Sequence, residues 1–208
     1  TARKSQTDLL SDLAARKAGG GIAGYTPHWL INAVVVKGTV AAIRDLADRP
    51  DVERIEADLV VELIEPLRSE KHLDDPRSAK GIGMTPGVQA VGAPRVWNEL
   101  GIDGTGVIVG VLDTGVDTDF PVDQHYHGTH VMGTITGLAA DDTIGVAPGA
   151  HWIATNVINM SAGTAFDNAV IASLEFMADP DGDPGTTDDL PAVVQNSWGV
   201  NEGFTGYY

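Results

Sequence analysis

The chain contains no cysteine. That excludes disulfide bonds and a thiolate nucleophile. It also contains no apolar run near the ~20 residues that a membrane-spanning helix needs, so no membrane span is expected. The first residues, Thr1-Ala2-Arg3-Lys4, carry neither an initiating methionine nor the layout of a signal peptide. An N-terminal piece is therefore expected to have been removed or left out. The most telling shortage is of positive charge. All 13 Lys and Arg lie within residues 1–95, which also carry 13 of the 29 acids; residues 96–208 carry the other 16 acids and no Lys or Arg. The net charge of −16 thus belongs to the second part. A break this sharp predicts two units with a boundary before Val96, and the length of 208 residues suits one large domain or two small ones. The acidic part should repel nucleic acid and anionic membranes, so no nucleic-acid partner is expected.

What is present is organised around residues 106–135, GVIVGVLDTGVDTDFPVDQHYHGTHVMGTI. The run 107–112 is apolar throughout, broken only by Gly110. It is too short for a helix and suits a strand buried on both faces of a parallel sheet. It ends in Asp113-Thr114-Gly115. A carboxylate at the carboxyl end of such a strand sits where open α/β sheets place their active sites. His127-Gly128-Thr129-His130 then opens a helical pattern through Met132, Ile135 and Leu138. An Asp on a strand end followed by a His at a helix start is the first two thirds of a Ser-His-Asp relay whose serine comes last.

Read from residues alone, other assignments stand beside this one. A strand-end Asp is often a turn or helix cap. Asp-Thr-Gly also occurs in aspartic proteases, which work with two carboxylates sharing a proton. Here no second Asp-Thr-Gly occurs, and Val116 follows in place of a hydroxyl residue. His125, His127 and His130 with Asp123 could form a metal cluster, although the spacing lacks the i, i+4 histidine pair of a known zinc motif.

On VLDTGVD at 111–117 and HGTHVMGT at 127–134, the sequence resembles the subtilisin-like serine proteases. Residues 152–199, with WIATNVI, FDNAVIASLEFMADPDGDP and PAVVQNSWG, resemble the bacillopeptidase F-like branch in particular. The resemblance implies a serine endopeptidase in which His127 is the general base and Asp113 fixes its tautomer. It implies Ser197, Trp198 and Gly199 as substrate-binding backbone, on which an extended peptide pairs as an added strand. It further implies polypeptide substrates, a monomeric secreted enzyme, and no required cofactor. Ca²⁺ is open as a structural ion at the acidic loop 179–189, whose aspartates lack EF-hand spacing.

The first part reads as a helix over 5–18 with Leu9, Leu10, Leu13 and Ala14 on one face, stopped by three glycines. A strand over 29–36 follows. Next come a helix over 39–48, with Val40, Ile43, Leu46 and Ala47 inward, and one or two strands over 52–64. This order predicts a small α+β, ferredoxin-like sandwich without its opening strand. Residues 28–58 resemble the inhibitory prodomain of the same family, which implies the chain's own prodomain as a partner in cis. The domain reading is therefore residues 1–66 as prodomain, 67–86 as linker and processing region, and 87–208 as the N-terminal half of the peptidase domain. The polar, proline-bearing stretch 66–86 has linker composition and is where self-cleavage is expected.

In the second part the pattern predicts a helix over 90–100 on Val96, Trp97 and Leu100. It predicts strands over 151–158 and 192–196, with a helix over 164–177 between them on Phe166, Val170, Leu174 and Met177. Strands alternating with helices give an α/β fold with a doubly wound parallel sheet, incomplete in this chain. Two departures from the family matter. None of the serines, Ser5, Ser11, Ser69, Ser78, Ser161, Ser173 or Ser197, lies in a Gly-Thr-Ser-x-Ala type block. The nucleophile is thus absent and the fragment is expected to be inactive alone. Only residues 114–126 separate Asp113 from His127, where family members usually carry another strand; the edge beside residues 151–158 is expected to be bare. A non-catalytic protease-like binding or inhibitor protein is the alternative.

Overall fold

The computed structural model describes residues 2–57, 62–63, 83–116, 123, 125–139, 142–158 and 164–199. In chain order the elements are α1 (Ala2–Ser5), α2 (Thr7–Ala18), β1 (Ile22–His28), β2 (Ala33–Gly38), α3 (Val40–Ala47), β3 (Glu62–Leu63) and β4 (Gly83–Met84). They continue with α4 (Pro86–Ala90), α5 (Ala93–Leu100), β5 (Ile108–Asp113), α6 (His127–Thr136), β6 (Leu138–Ala139) and β7 (Asp142–Thr143). The last are β8 (His151–Asn156), α7 (Thr164–Ala178), β9 (Val193–Gln195) and β10 (Trp198–Gly199). The chain forms two compact units. One comprises Thr1–Val61 with Met160–Thr187; the other comprises Glu62–Asn159 with Asp188–Tyr208.

The first unit is built on an antiparallel hairpin, β1–β2, with Tyr25 opposite Val36 and Pro27 opposite Val34. Val34 and Val36 are two residues apart and so share a face. On that face Leu13, Ile22, Ala42 and Leu46 form the buried core, with Leu9, Leu10, Tyr25, Val34, Val36 and Ile43 packed around it. Thr39 caps α3, its Oγ1 accepting from the Ala42 N–H at 3.3 Å.

Three expectations need correction here. The stretch 29–36 is not one strand: Trp29 to Asn32 are turn, and the strand before them is β1. Asn32 takes φ +49, a left-handed conformation that asparagine tolerates. Residues 52–57 form no strand, and of the rest of 52–64 only 62–63 are described. In α3, Val40 lies at the first turn and is exposed, while Ala42 and Leu46 face the core.

Helix α7 belongs to this unit and buries Phe166, Ser173 and Met177, positions seven and four apart on one face. Two of its side chains reach the end of the hairpin. His28 is 2% exposed, and its Nε2 donates to Asn168 Oδ1 at 2.9 Å. Glu175 lies beside His28 Nδ1 at 3.5 Å and accepts from the Trp29 N–H at 2.5 Å and the Leu30 N–H at 3.3 Å. From α1–α2, Gln6 donates to the carbonyls of His28 and Ala33 at 3.1 and 3.2 Å. The turn is thus pinned by two side chains far from it in sequence.

In the second unit, β5 lies between β8 and β9, all parallel, with Val111 opposite both Ala154 and Gln195. Val109, Val111, Leu112 and Asp113 are buried, as the apolar run requires. The parallel α/β arrangement anticipated from the sequence is observed. Met132 of α6 packs with Val111 and Val116, flanked by Val131, Ile135, Trp152 and Ala154. Among the described residues β8 pairs only with β5. Helix α5 departs from expectation. Val96 and Leu100 are exposed, Ala93 is its buried residue, and Trp97 lies against the 145–150 turn, donating Nε1–H to the Val146 carbonyl at 3.0 Å. No helix of the described residues is long and apolar enough to cross a membrane.

Replacing Glu175 with alanine removes the acceptor for two backbone donors beside a buried histidine. Both amides lie at the surface, where water can replace the carboxylate, so the expected cost is about 1 kcal/mol. The expected result is a lower melting temperature with faster hydrogen exchange at the Trp29 and Leu30 amides. Unchanged exchange at both amides would contradict this account of the turn.

Candidate active site

The site forms at the carboxyl end of β5. Asp113 is 0% exposed. Its main-chain carbonyl accepts from the N–H groups of Val157 and Ile158, at 2.9 and 3.1 Å, so the strand end is held by the chain leaving β8. Its side-chain Oδ1 accepts from the Thr114 N–H at 2.7 Å and lies 2.6 Å from His127 Nδ1. A carboxylate only accepts, so Nδ1–H donates and Nε2 is left free to take a proton. Asp113 Oδ2 is buried and has no partner among the described residues.

His127 is the first residue of α6, whose N-cap, Tyr126, sits at φ +59 with no capping side chain. The helix start lies so close to β5 that a Cβ on Gly128 would stand 2.0 Å from the Gly115 carbonyl oxygen. Glycine at 128 is therefore what lets the imidazole next to it reach Asp113. His130 is exposed.

Asp123 is 4% exposed. Its Oδ1 accepts from Thr114 Oγ1 at 2.8 Å, His125 N at 2.9 Å and Tyr126 N at 2.8 Å. Its Oδ2 accepts from Thr129 N at 2.9 Å and Thr129 Oγ1 at 2.7 Å. Burial pushes this carboxyl up, but the bonds from Thr129, His125 and Thr114 outweigh it, and the net effect is a value below the ordinary 3.8. Both oxygens are taken up by protein donors. Among the described residues no group of three His, Asp or Glu side chains could hold a metal ion. The metal-cluster assignment of Asp123 with His125, His127 and His130 therefore lacks support. In the acidic loop, Asp181 and Asp183 accept from the N–H groups of Asp183 and Gly185, at 2.8 and 2.9 Å, as turn residues.

Ser197, Trp198 and Gly199 follow β9. Ser197 Oγ is hydrogen-bonded by Gln195 Nε2. Trp198 Nε1–H donates to the carbonyl of Leu112 at 2.9 Å, one residue from Asp113. Trp198 and Gly199 pair antiparallel with Leu63 and Glu62. The segment is thus tied to the same strand end, and it accepts an extended strand of this chain. Sequence reasoning passed over Thr114 as a site residue and weighed Asp123 only as a metal ligand. The signals were a hydroxyl directly after Asp113 and a carboxylate four residues before His127.

No protein-family model matches the chain. It is 30% identical over 250 aligned residues to Bacillopeptidase F of Bacillus subtilis, an alignment covering 100% of this chain and 17% of that protein. It is 34% identical over 105 residues to an Intracellular serine protease of Paenibacillus polymyxa, covering 39% of this chain and 32% of the relative. It is 36% identical over 107 residues to Subtilisin Savinase of Lederbergia lenta, covering 43% and 39%. The chain therefore spans well under half the length of these curated relatives.

Two outcomes test the local geometry. A Gly128→Ala protein is expected to lose the His127–Asp113 hydrogen bond, read as disappearance of the downfield Nδ1 proton resonance; its persistence would contradict the close-approach argument. The depressed carboxyl of Asp123 contributes stability that is present above about pH 4 and is lost as pH falls through its folded value. Acid unfolding of the second unit is expected to be less steep in Asp123→Asn than in wild type; identical acid profiles would remove Asp123 from the account.

Proposed function

We propose, on the premise that this chain is homologous to the subtilisin-like serine proteases, that it belongs to a serine endopeptidase and carries two members of the Asp-His-Ser relay. The observation that carries the reading is the 2.6 Å contact between His127 Nδ1 and the fully buried Asp113 carboxylate. Such a carboxylate holds the imidazole in the tautomer whose Nε2 accepts a proton, and it stabilises the imidazolium that follows. In the proposed reaction Nε2 takes the proton of a serine hydroxyl as that oxygen attacks the peptide carbonyl. Nε2 then returns the proton to the leaving amine, and water repeats the cycle on the acyl-enzyme. The nucleophile is not among the serines of these 208 residues, none of which has the family's context. The chain alone is therefore inactive by this route. No cofactor takes part.

The substrate side of the reading is Ser197–Gly199. The antiparallel pairing of Glu62 and Leu63 on Trp198 and Gly199 supports it, because a polypeptide substrate would add to the same backbone in the same way. It also supports residues 1–66 as a ferredoxin-like inhibitory prodomain whose exit strand occupies the site in cis. Self-cleavage then falls in 67–86, of which 67–82 lie outside the described residues. The contacts of α7 with the β1–β2 hairpin, through Asn168 and Glu175, are the second point of attachment between prodomain and peptidase sequence. A monomeric, secreted zymogen is the setting this reading implies.

The test uses the full-length protein with a casein substrate. Asp113→Asn is expected to lower kcat on the order of 10⁴-fold, and His127→Ala on the order of 10⁶-fold. The purified 208-residue chain is expected to turn over nothing. Full activity in His127→Ala would end the reading. Casein hydrolysis by the short chain, blocked by a serine-directed phosphonate, would end the claim that the nucleophile lies elsewhere.

A further inference from the structure

We infer that Asp123 is a positioning residue for the Asp113–His127 couple: its carboxylate fastens the strand end bearing the acid to the helix start bearing the imidazole. The inference rests on the proposed relay and adds to it a residue that touches neither substrate nor reacting atoms.

A helix leaves its first N–H groups without intrahelical partners, and a capping side chain normally serves them. Tyr126 at the N-cap provides none. The donors of α6 are served from outside instead: Gly128 N–H donates to Thr114 Oγ1 at 2.8 Å, and Thr129 N–H donates to Asp123 Oδ2 at 2.9 Å. Thr114 Oγ1 in turn donates its proton to Asp123 Oδ1 at 2.8 Å. A closed circuit results. It runs from Asp113 to the adjacent Thr114, which holds the Gly128 amide, and on to Asp123, which holds Thr129 after His127 and His125 and Tyr126 before it. His127 sits inside the clamp. The imidazole thus reaches Asp113 from a backbone whose flanking amides are held by the Asp123 carboxylate and, at Gly128, by the Thr114 hydroxyl that this carboxylate orients.

The acceptor count explains why the residue is a carboxylate. Five donors converge on Asp123, three on Oδ1 and two on Oδ2. An amide offers one acceptor oxygen, and its NH₂ would meet donors on the other side. Asparagine therefore satisfies one set and opposes the other. The opposed side is either the Thr129 pair inside α6 or the Thr114–His125–Tyr126 set before it, and both choices release the ring-bearing residue. The short segment 114–126 sharpens the need for such a clamp. A carboxylate against the first amides of a helix is also placed where the helix dipole favours it.

The experiment is NMR on the 208-residue chain, which needs no activity. The readouts are the His127 ring ¹⁵N pattern, which reports the tautomer, and the downfield Nδ1 proton bonded to Asp113. Both are taken at neutral pH and at a temperature where circular dichroism shows the folded state. Asp123→Asn is expected to abolish the downfield proton and to mix the two tautomers. Thr129→Val, which removes one of the five bonds, is expected to weaken the signal without abolishing it. Val88→Ala serves as a control that lowers stability at a buried position away from the site, and it is expected to leave both signals unchanged. If Asp123→Asn does not fold, Thr129→Val decides. A wild-type His127 signature in the folded state of Asp123→Asn, or in Thr129→Val where the former is unfolded, would overturn the inference. That failure is distinct from failure of the protease reading, which is decided by casein hydrolysis in the full-length His127 variant.

Discussion

A carboxylate buried to the last oxygen is costly unless donors meet it. The bond from His127 Nδ1 to Asp113 is the interaction on which the second unit depends. Much of the surrounding structure serves that meeting. β5 pairs with β8 along its whole length to Asp113 and with β9 as far as Val111. The amides of Val157 and Ile158 converge on the Asp113 carbonyl, and the Trp198 indole converges on the carbonyl before it. The helix that brings the histidine has no capping residue of its own. It relies on Thr114 and Asp123, so the same polar groups that satisfy the helix also orient the couple.

The first unit solves a different problem. Its hairpin turn, Trp29 to Asn32, carries exposed apolar side chains, Trp29, Leu30 and Ile31. Composition offers such a turn little stability of its own. Gln6 holds the carbonyls on either side of it, and Glu175 holds the amides. The arrangement makes α7 part of this unit although its sequence lies among the strands of the other. The division of charge follows a different line from the division of contacts. The basic residues all precede residue 96, whereas the first compact unit also takes in residues 179–187 of the acidic loop after α7.

What was legible and what was not can be traced to particular residues. The run before Asp113 announced a strand buried on both faces, because no other element of that length tolerates continuous apolar side chains. Residues 29–36 looked equally strand-like, yet half of them form a turn. Their β-branched and aromatic character is local, while the groups that bend them come from positions 6 and 175. Helix α5 was recognised, but its burial was misjudged. Val96 and Leu100 are apolar at helical spacing and exposed, which spacing alone does not exclude.

By itself, the order of residues determined the chemistry on offer: an aspartate ending a buried strand, a histidine opening a helix, no cysteine, and no serine in a nucleophile's setting. It also determined the parallel α/β character of the second unit, since hydrophobic period and helix–strand alternation are local properties. Tertiary structure decided which of the many acids matter. Asp123 is one aspartate among many in a strongly acidic chain. Only the approach of α6 to the end of β5, possible because Gly128 lacks a Cβ, turns it from a solvated charge into the acceptor of five hydrogen bonds. Distances of that kind are set by packing between segments remote in sequence, and no pattern along the chain encodes them directly.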